Sequence, residues 1–184
     1  MEPAIKPLDK ILFYKYLDKA THYMEFGSGG STYQASIRPN IKSITVVESD
    51  LAWINKLQTI ITQPFIQFNY IDIQAVKNNW GYPGKLCSLE DMKKYSDVKS
   101  RPDTDLVLID GRFRVACCLK LFEQLGESSV IAFDDFLNRK YYHIVLDYYD
   151  IVEQTTNNSL VILQKKDCIG PSFDLISKYE SICQ

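Results

Sequence analysis

The chain has 184 residues, 46% hydrophobic and 24% charged, with 21 Lys plus Arg against 23 Asp plus Glu for a formal net charge of −2. A chain of this length buries roughly two thirds to three quarters of its unfolded surface and can build a core without disulfides; its charge balance argues against broad nucleic-acid binding, and no run approaches the roughly 18 apolar residues of a membrane span. The opening MEPAIKPLDK lacks the apolar centre of a signal peptide, so a cytoplasmic protein of one domain, residues 1–184, is expected.

Along the chain, residues 8–20 carry Leu8, Ile11, Leu12, Lys15 and Tyr16 at three-and-four spacing behind Pro7, the pattern of an N-terminal helix. Residues 23–26 then read as a strand running into the turn Gly27-Ser28-Gly29-Gly30, with a short helix after it. Residues 44–47 form a second strand ending at Glu48-Ser49-Asp50, and Asp50 suits the N-cap of a helix through Leu51, Ile54, Leu57 and Ile61. Residues 65–71 alternate as a third strand. Residues 74–100 hold Trp80-Gly81-Tyr82-Pro83-Gly84 and are too long for an ordinary connection, which points to a substrate-covering loop with Trp80 and Tyr82 as acceptor contacts.

Residues 105–109 are a buried strand ending at Asp110-Gly111, followed by a helix over residues 114–125 stopped by Gly126. Residues 130–133 are a strand ending at Asp134-Asp135, and residues 141–148 are helical by spacing. Two strands, residues 150–154 and 160–164, joined by a turn at Asn157-Asn158, precede a tail rich in Ser, Lys and Glu. Short strands alternating with helices predict an α/β fold, a doubly wound and mostly parallel sheet closed by an antiparallel hairpin. Among five cysteines no C-x-x-C pair occurs, and the adjacent Cys117 and Cys118 read as small buried hydrophobes. His143, in a tyrosine-rich helix, reads as a packed residue rather than a catalyst.

The chemical signal is Glu25-Phe26-Gly27-Ser28-Gly29-Gly30, followed 23 positions after Glu25 by Glu48 at the end of the next strand. Glycines permit a tight turn and a close approach of the backbone to a ligand, and a strand-end carboxylate in a doubly wound sheet is placed to read ribose hydroxyls. A dinucleotide fingerprint needs a third glycine where Thr32 stands, and a carboxylate such as Glu25 would repel a pyrophosphate. A ligand with an ammonium, a sulfonium and no phosphate meets neither objection. The chain here resembles the class I S-adenosylmethionine-dependent methyltransferases, whose first motif is an acidic residue followed two positions on by G-x-G, and whose Rossmann-like sheet has seven strands. The resemblance implies that Glu25, Gly27, Ser28 and Gly29 line the methionine moiety, that Glu48 with Ser49 binds the ribose, and that Asp72 and Ile73 lie near the adenine.

Asp110-Gly111-Arg112-Phe113-Arg114 and Asp134-Asp135-Phe136 end the fourth and fifth strands, beside the expected crevice. An IDG strand end followed by paired aspartates resembles the catechol-type and macrocin-type sugar O-methyltransferases, which hold a divalent metal between these positions. That implies Mg²⁺ or another divalent cation on Asp110, Asp134 and Asp135, with Asp110 or Asp135 as the base and Asp110 also beside the cofactor. Arg112 stands where those enzymes tend to carry an acidic or polar group, and its guanidinium offers a metal-free way to neutralise the cluster. Arg112 and Arg114 are also candidates for an anionic group on the acceptor. The expected function is transfer of a methyl group to a hydroxyl of a small molecule, with a sugar or glycan as acceptor. The alternative is a non-catalytic module that binds adenosylmethionine or a nucleoside. The oligomeric state is open.

Overall fold

The computed structural model describes residues 1–76, 79, 81–156 and 159–183. Seven strands form one sheet: β1 (His22–Phe26), β2 (Ser43–Glu48), β3 (Ile66–Tyr70), β4 (Leu106–Ile109), β5 (Val130–Phe133), β6 (Tyr149–Gln154) and β7 (Val161–Lys165). Their order is β3-β2-β1-β4-β5-β7-β6, parallel from β3 to β5 and antiparallel at β7 and β6. The doubly wound sheet with its closing hairpin is therefore as expected.

Period-two alternation divides the core. Tyr23, Ile44, Val46, Leu106 and Leu108 point to one face, where they meet Leu12, Phe13 and Leu17 of α1 (Pro7–Leu17) and Ala35 of α2 (Gly30–Ser36). Met24, Phe26, Val47, Val107 and Ile109 point to the other, against α5 (Arg114–Leu121) and the 3-10 helix Lys140–Asp147. Asp50 caps α3 (Leu51–Gln58), accepting the Trp53 N–H at 3.0 Å. The stretch expected as helical over residues 141–148 is this 3-10 helix.

One expectation is corrected, and one helix was not foreseen. Residues 74–100 are not one irregular loop, because α4 (Leu89–Asp97) occupies their second half. Ser88 caps it by accepting the Asp91 N–H at 3.1 Å, and Met92 and Tyr95 turn into the core. The tail also contains a helix, α6 (Phe173–Tyr179), capped by Ser172 and packed through Leu175, Ile176 and Tyr179. Lys120 of α5 ties α4 and α6 together through Asp97 at 2.6 Å and Glu180 at 2.6 Å. The turn expected at Asn157-Asn158 lies outside the described residues. Among the described residues no helix is long and apolar enough to cross a membrane.

Candidate functional site

On the two sides of β1 the chain connects in opposite directions, to β2 and to β4, and ligands of doubly wound sheets sit outside the carboxyl ends of the strands at such a point. A cavity of about 820 Å³ opens there, within the size range of small-molecule sites. It is lined by the glycine turn, by Glu48, Ser49, Asp50 and Trp53, by Gly81 and Tyr82, and by the ends of β4 and β5 with Arg139.

The glycine turn works by backbone geometry. Gly27 has φ +90°, and a Cβ on it would lie 2.8 Å from the Gly111 Cα, so the β1 and β4 ends meet only because both residues lack side chains. Gly29 differs, since a Cβ there meets nothing within 4 Å and would project into open space. Gly27→Ala should therefore cost at least ~2 kcal/mol of folding stability, whereas Gly29→Ala should melt close to the wild type and lose affinity for whatever the cavity holds. Thermal denaturation of both variants checks this, and equal melting temperatures would refute it.

Glu25 is corrected. Strand parity turns it to the α2 face, where it is fully buried and accepts hydrogen bonds from the Tyr23 hydroxyl at 2.8 Å and from the Thr32 hydroxyl. Thr32 in turn accepts the Gly29 N–H at 2.9 Å. Glu25 thus braces the turn from behind and does not line the cavity. Burial pushes its carboxyl up to about 7, against the pull of the Thr32, Ser31 and Tyr23 hydroxyls.

Glu48 does line the cavity. One carboxylate oxygen accepts Ser28 N at 2.9 Å and Ser28 Oγ at 2.7 Å; the other accepts Ser49 N at 2.6 Å and Asp50 N at 2.9 Å. One side chain thereby joins the ends of β1 and β2. Trp53 donates its indole N–H to the Ser28 carbonyl at 3.0 Å, adding an aromatic wall. Asp72 and Ile73 are corrected, because neither lines the cavity. Asp72 accepts the Gln74 N–H at 2.8 Å in a local turn, and Ile73 is buried in the core. Tyr82 lines the cavity, while Trp80 lies outside the described residues.

The charged end of the cavity is built around Arg114. Its side chain is 4% exposed, and it donates to the carbonyls of Gly111 at 3.0 Å, Asp134 at 2.8 Å and Asp110 at 3.0 Å, and to Asp110 Oδ1 at 3.0 Å. Its second carboxylate is Asp135 at 3.6 Å, which also takes Arg139 at 2.6 Å. Arg114 is therefore an internal counter-ion, which corrects its assignment to acceptor binding. The divalent-cation site is corrected too: among the described residues no three His, Cys, Asp or Glu side chains converge as a metal site needs. Guanidinium groups already offset the cluster, Arg114 and Arg139 by ion pairs and Arg112 by its charge on Asp110. Phe113 and Asp135 adopt left-handed φ values of 51° and 60° at the two strand ends, a conformation held in place by surrounding contacts.

Burial raises the Asp134 carboxyl to about 7, with the charges of Asp110 and Asp135 adding to the effect and Arg114 opposing it. Burial also raises Asp110, offset by Arg114. A carboxyl whose folded pKa lies above its unfolded value stabilises the fold fully at pH below the unfolded value and loses that contribution as pH rises through the folded one. Asp134→Asn, which keeps the protonated shape, should therefore gain stability over the wild type between pH 4 and pH 8 and hold a constant advantage above. Glu25 titrates in the same window but is common to both proteins and cancels. Melting curves across that range test the prediction, and a difference independent of pH would contradict it.

Sequence reasoning missed Tyr95, Trp53, Arg139 and the segment Met1–Glu2–Pro3–Ala4 as parts of the wall. Tyr95 was hidden by the reading of its helix as loop. Trp53 falls outside the apolar spacing read for α3 and carried no signal of its own. The strap carries no motif, yet a Cβ on Gly30 would sit 2.1 Å from the Glu2 carbonyl. Among the other side chains, His143 stacks on Phe136 at 5.1 Å and bonds its carbonyl, and burial pushes the Cys117 and Cys118 thiols up, in keeping with packed, unreactive roles.

No protein-family model and no curated relative matches the chain. Solved structures do. A methyltransferase-like protein from Silicibacter pomeroyi is similar at TM-score 0.82 and 24% identity, over 98% of this chain and 97% of that one. The N-methyltransferase NodS from Bradyrhizobium japonicum, in complex with S-adenosylhomocysteine, is similar at TM-score 0.58 and 12% identity, over 90% and 89%. An RNA methyltransferase from Salinibacter ruber, also with S-adenosylhomocysteine, reaches 0.53 and 14% identity over 94% and 98%. The fold is the Rossmann-like methyltransferase fold. The cavity described above lies at that fold's strand-order reversal.

Proposed function

We propose that the protein is an S-adenosylmethionine-dependent methyltransferase acting on a hydroxyl of a small molecule, with a sugar or glycan as the acceptor class. The observation that carries the reading is the cavity at the ends of β1 and β2, where Gly29 leaves open space and Glu48 stands beside it. Its lining holds six acidic side chains against three arginines, a balance that favours a sulfonium and ammonium ligand over a pyrophosphate. The solved neighbours that hold S-adenosylhomocysteine support the same choice.

Gly27, Ser28 and Gly29 would hold the methionine end, Glu48 with Ser49 the ribose hydroxyls, and Trp53 and Tyr82 the flanks. The Ser28 hydroxyl can turn away to release an acceptor position on Glu48. When bound, adenosylmethionine supplies an electrophilic methyl carbon. That carbon would be transferred to the acceptor oxygen, with the carbon–sulfur electron pair leaving on the neutral thioether. The hydroxyl proton goes to a carboxylate. Asp110, which lines the cavity with its side chain about a third exposed, is the proposed base, and Asp134 shares a hydrogen bond with it. Asp135, also about a third exposed, is the second candidate base.

Transfer of a labelled methyl group from adenosylmethionine to a panel of sugars, glycans, phenols and hydroxy acids tests this. Transfer to at least one is expected, with Asp110→Asn lowering kcat by ~10²–10⁴-fold. Binding of S-adenosylhomocysteine with transfer to none would replace the enzyme by a non-catalytic binding module.

A further inference from the structure

Three arginines line the cavity, and two of them are engaged. Arg114 is held by Asp110 and three carbonyls, and Arg139 by Asp135 at 2.6 Å and the Tyr142 hydroxyl at 3.0 Å. Arg112 differs. Among the described residues it has no carboxylate within ion-pair distance, and its guanidinium lies 4.6 Å from the centre of the Tyr82 ring. Its backbone is fixed on both sides, the N–H facing the Tyr95 hydroxyl at 3.5 Å and the carbonyl accepting from Cys117 at 3.5 Å. Its side chain also meets the weakly polar Cys183 thiol, and its charge pulls on the Asp110 carboxyl.

A guanidinium held over a ring still has further N–H donors in its fork, and that fork matches the two oxygens of a carboxylate or phosphate. Among the described residues Arg112 forms no ion pair, although its charge reaches Asp110, and a partly buried guanidinium at the cavity wall suits an anionic group of the ligand. We infer that Arg112, held over the Tyr82 ring, forms an anion subsite for a carboxylate or phosphate group carried by the methyl acceptor. The subsite adjoins Asp110 through Gly111, so the anionic group and the reacting hydroxyl belong to one small molecule. Tyr82 is the positioning residue. It lines the cavity together with Gly81. The acceptor assignment rests on the function proposed above; the anion subsite does not.

The test has two arms. In the first, the Arg112 Nε–H resonance, assigned by its loss in Arg112→Lys, is followed while inorganic phosphate or acetate is added to free and S-adenosylhomocysteine-saturated protein. A saturable shift with either anion, absent with chloride at equal ionic strength, is expected in both forms. Shifts no larger than those with chloride would overturn the subsite. In the second, calorimetry compares S-adenosylhomocysteine with 5′-methylthioadenosine, which lacks the amino-acid carboxylate. Arg112→Ala should bind each within about twofold of wild type. A tenfold loss confined to S-adenosylhomocysteine would assign Arg112 to the cofactor's own carboxylate and overturn the acceptor role. Wild-type protein that binds neither nucleoside would refute the proposed function and the acceptor role built on it, while the first arm still decides the anion subsite on the free protein.

Discussion

Arg114→Ala should be among the most damaging single changes outside the apolar core, costing about 3–5 kcal/mol of folding stability. The guanidinium is 4% exposed and faces Asp110 and Asp135 from beneath. Removing it leaves these carboxylates and Asp134 crowded without their shared counter-ion, and three carbonyls lose a donor. In a chain of this length the loss corresponds to a fall in melting temperature of roughly 6–20 °C. Adding Asp110→Asn to Arg114→Ala should recover part of it, because one uncompensated charge disappears. A deficit below about 1 kcal/mol, the range of surface pairs, would mean that Arg114 is a solvated rim group.

The second large effect falls on binding. Glu48→Ala should weaken S-adenosylhomocysteine by roughly ten- to a hundredfold, as expected for the loss of charge-assisted hydrogen bonds of ~1.5–3 kcal/mol. Because Glu48 also joins Ser28 to Ser49 and Asp50, the same change should lower the melting temperature. Glu48→Gln separates the two roles: it keeps the shape and one acceptor oxygen, so its folding should suffer less than its affinity. Calorimetry of both variants beside their melting curves reads this directly, and unchanged affinity in both would remove Glu48 from the ribose site.

The strands were legible because their apolar runs are short and end in Gly, Asp or Glu, and that pattern carries both the topology and the place of the site. Glu48, Gly27 and Asp110 follow from it, since a strand-end position in a doubly wound sheet is a cavity position. Glu25 shows the limit. A motif places it next to the turn, but only the parity of β1 reveals that it points to the other face, against Thr32. Arg114 and Arg112 are two positions apart and look equivalent as sequence, and both line the cavity, yet the start of α5 buries Arg114 while Arg112, ahead of that helix, stays partly exposed. Helices α4 and α6 were obscured because each is short and rich in polar residues, and its few apolar side chains gain meaning only against the core they cover. The strap over Gly30 is a long-range contact with no local signal.

Titration of the wild-type protein with S-adenosylhomocysteine by calorimetry, beside NAD⁺ as a phosphate-bearing comparison, addresses the central claim most directly. The account predicts saturable one-to-one binding of S-adenosylhomocysteine and no measurable heat with NAD⁺. Binding of NAD⁺ without S-adenosylhomocysteine would contradict it.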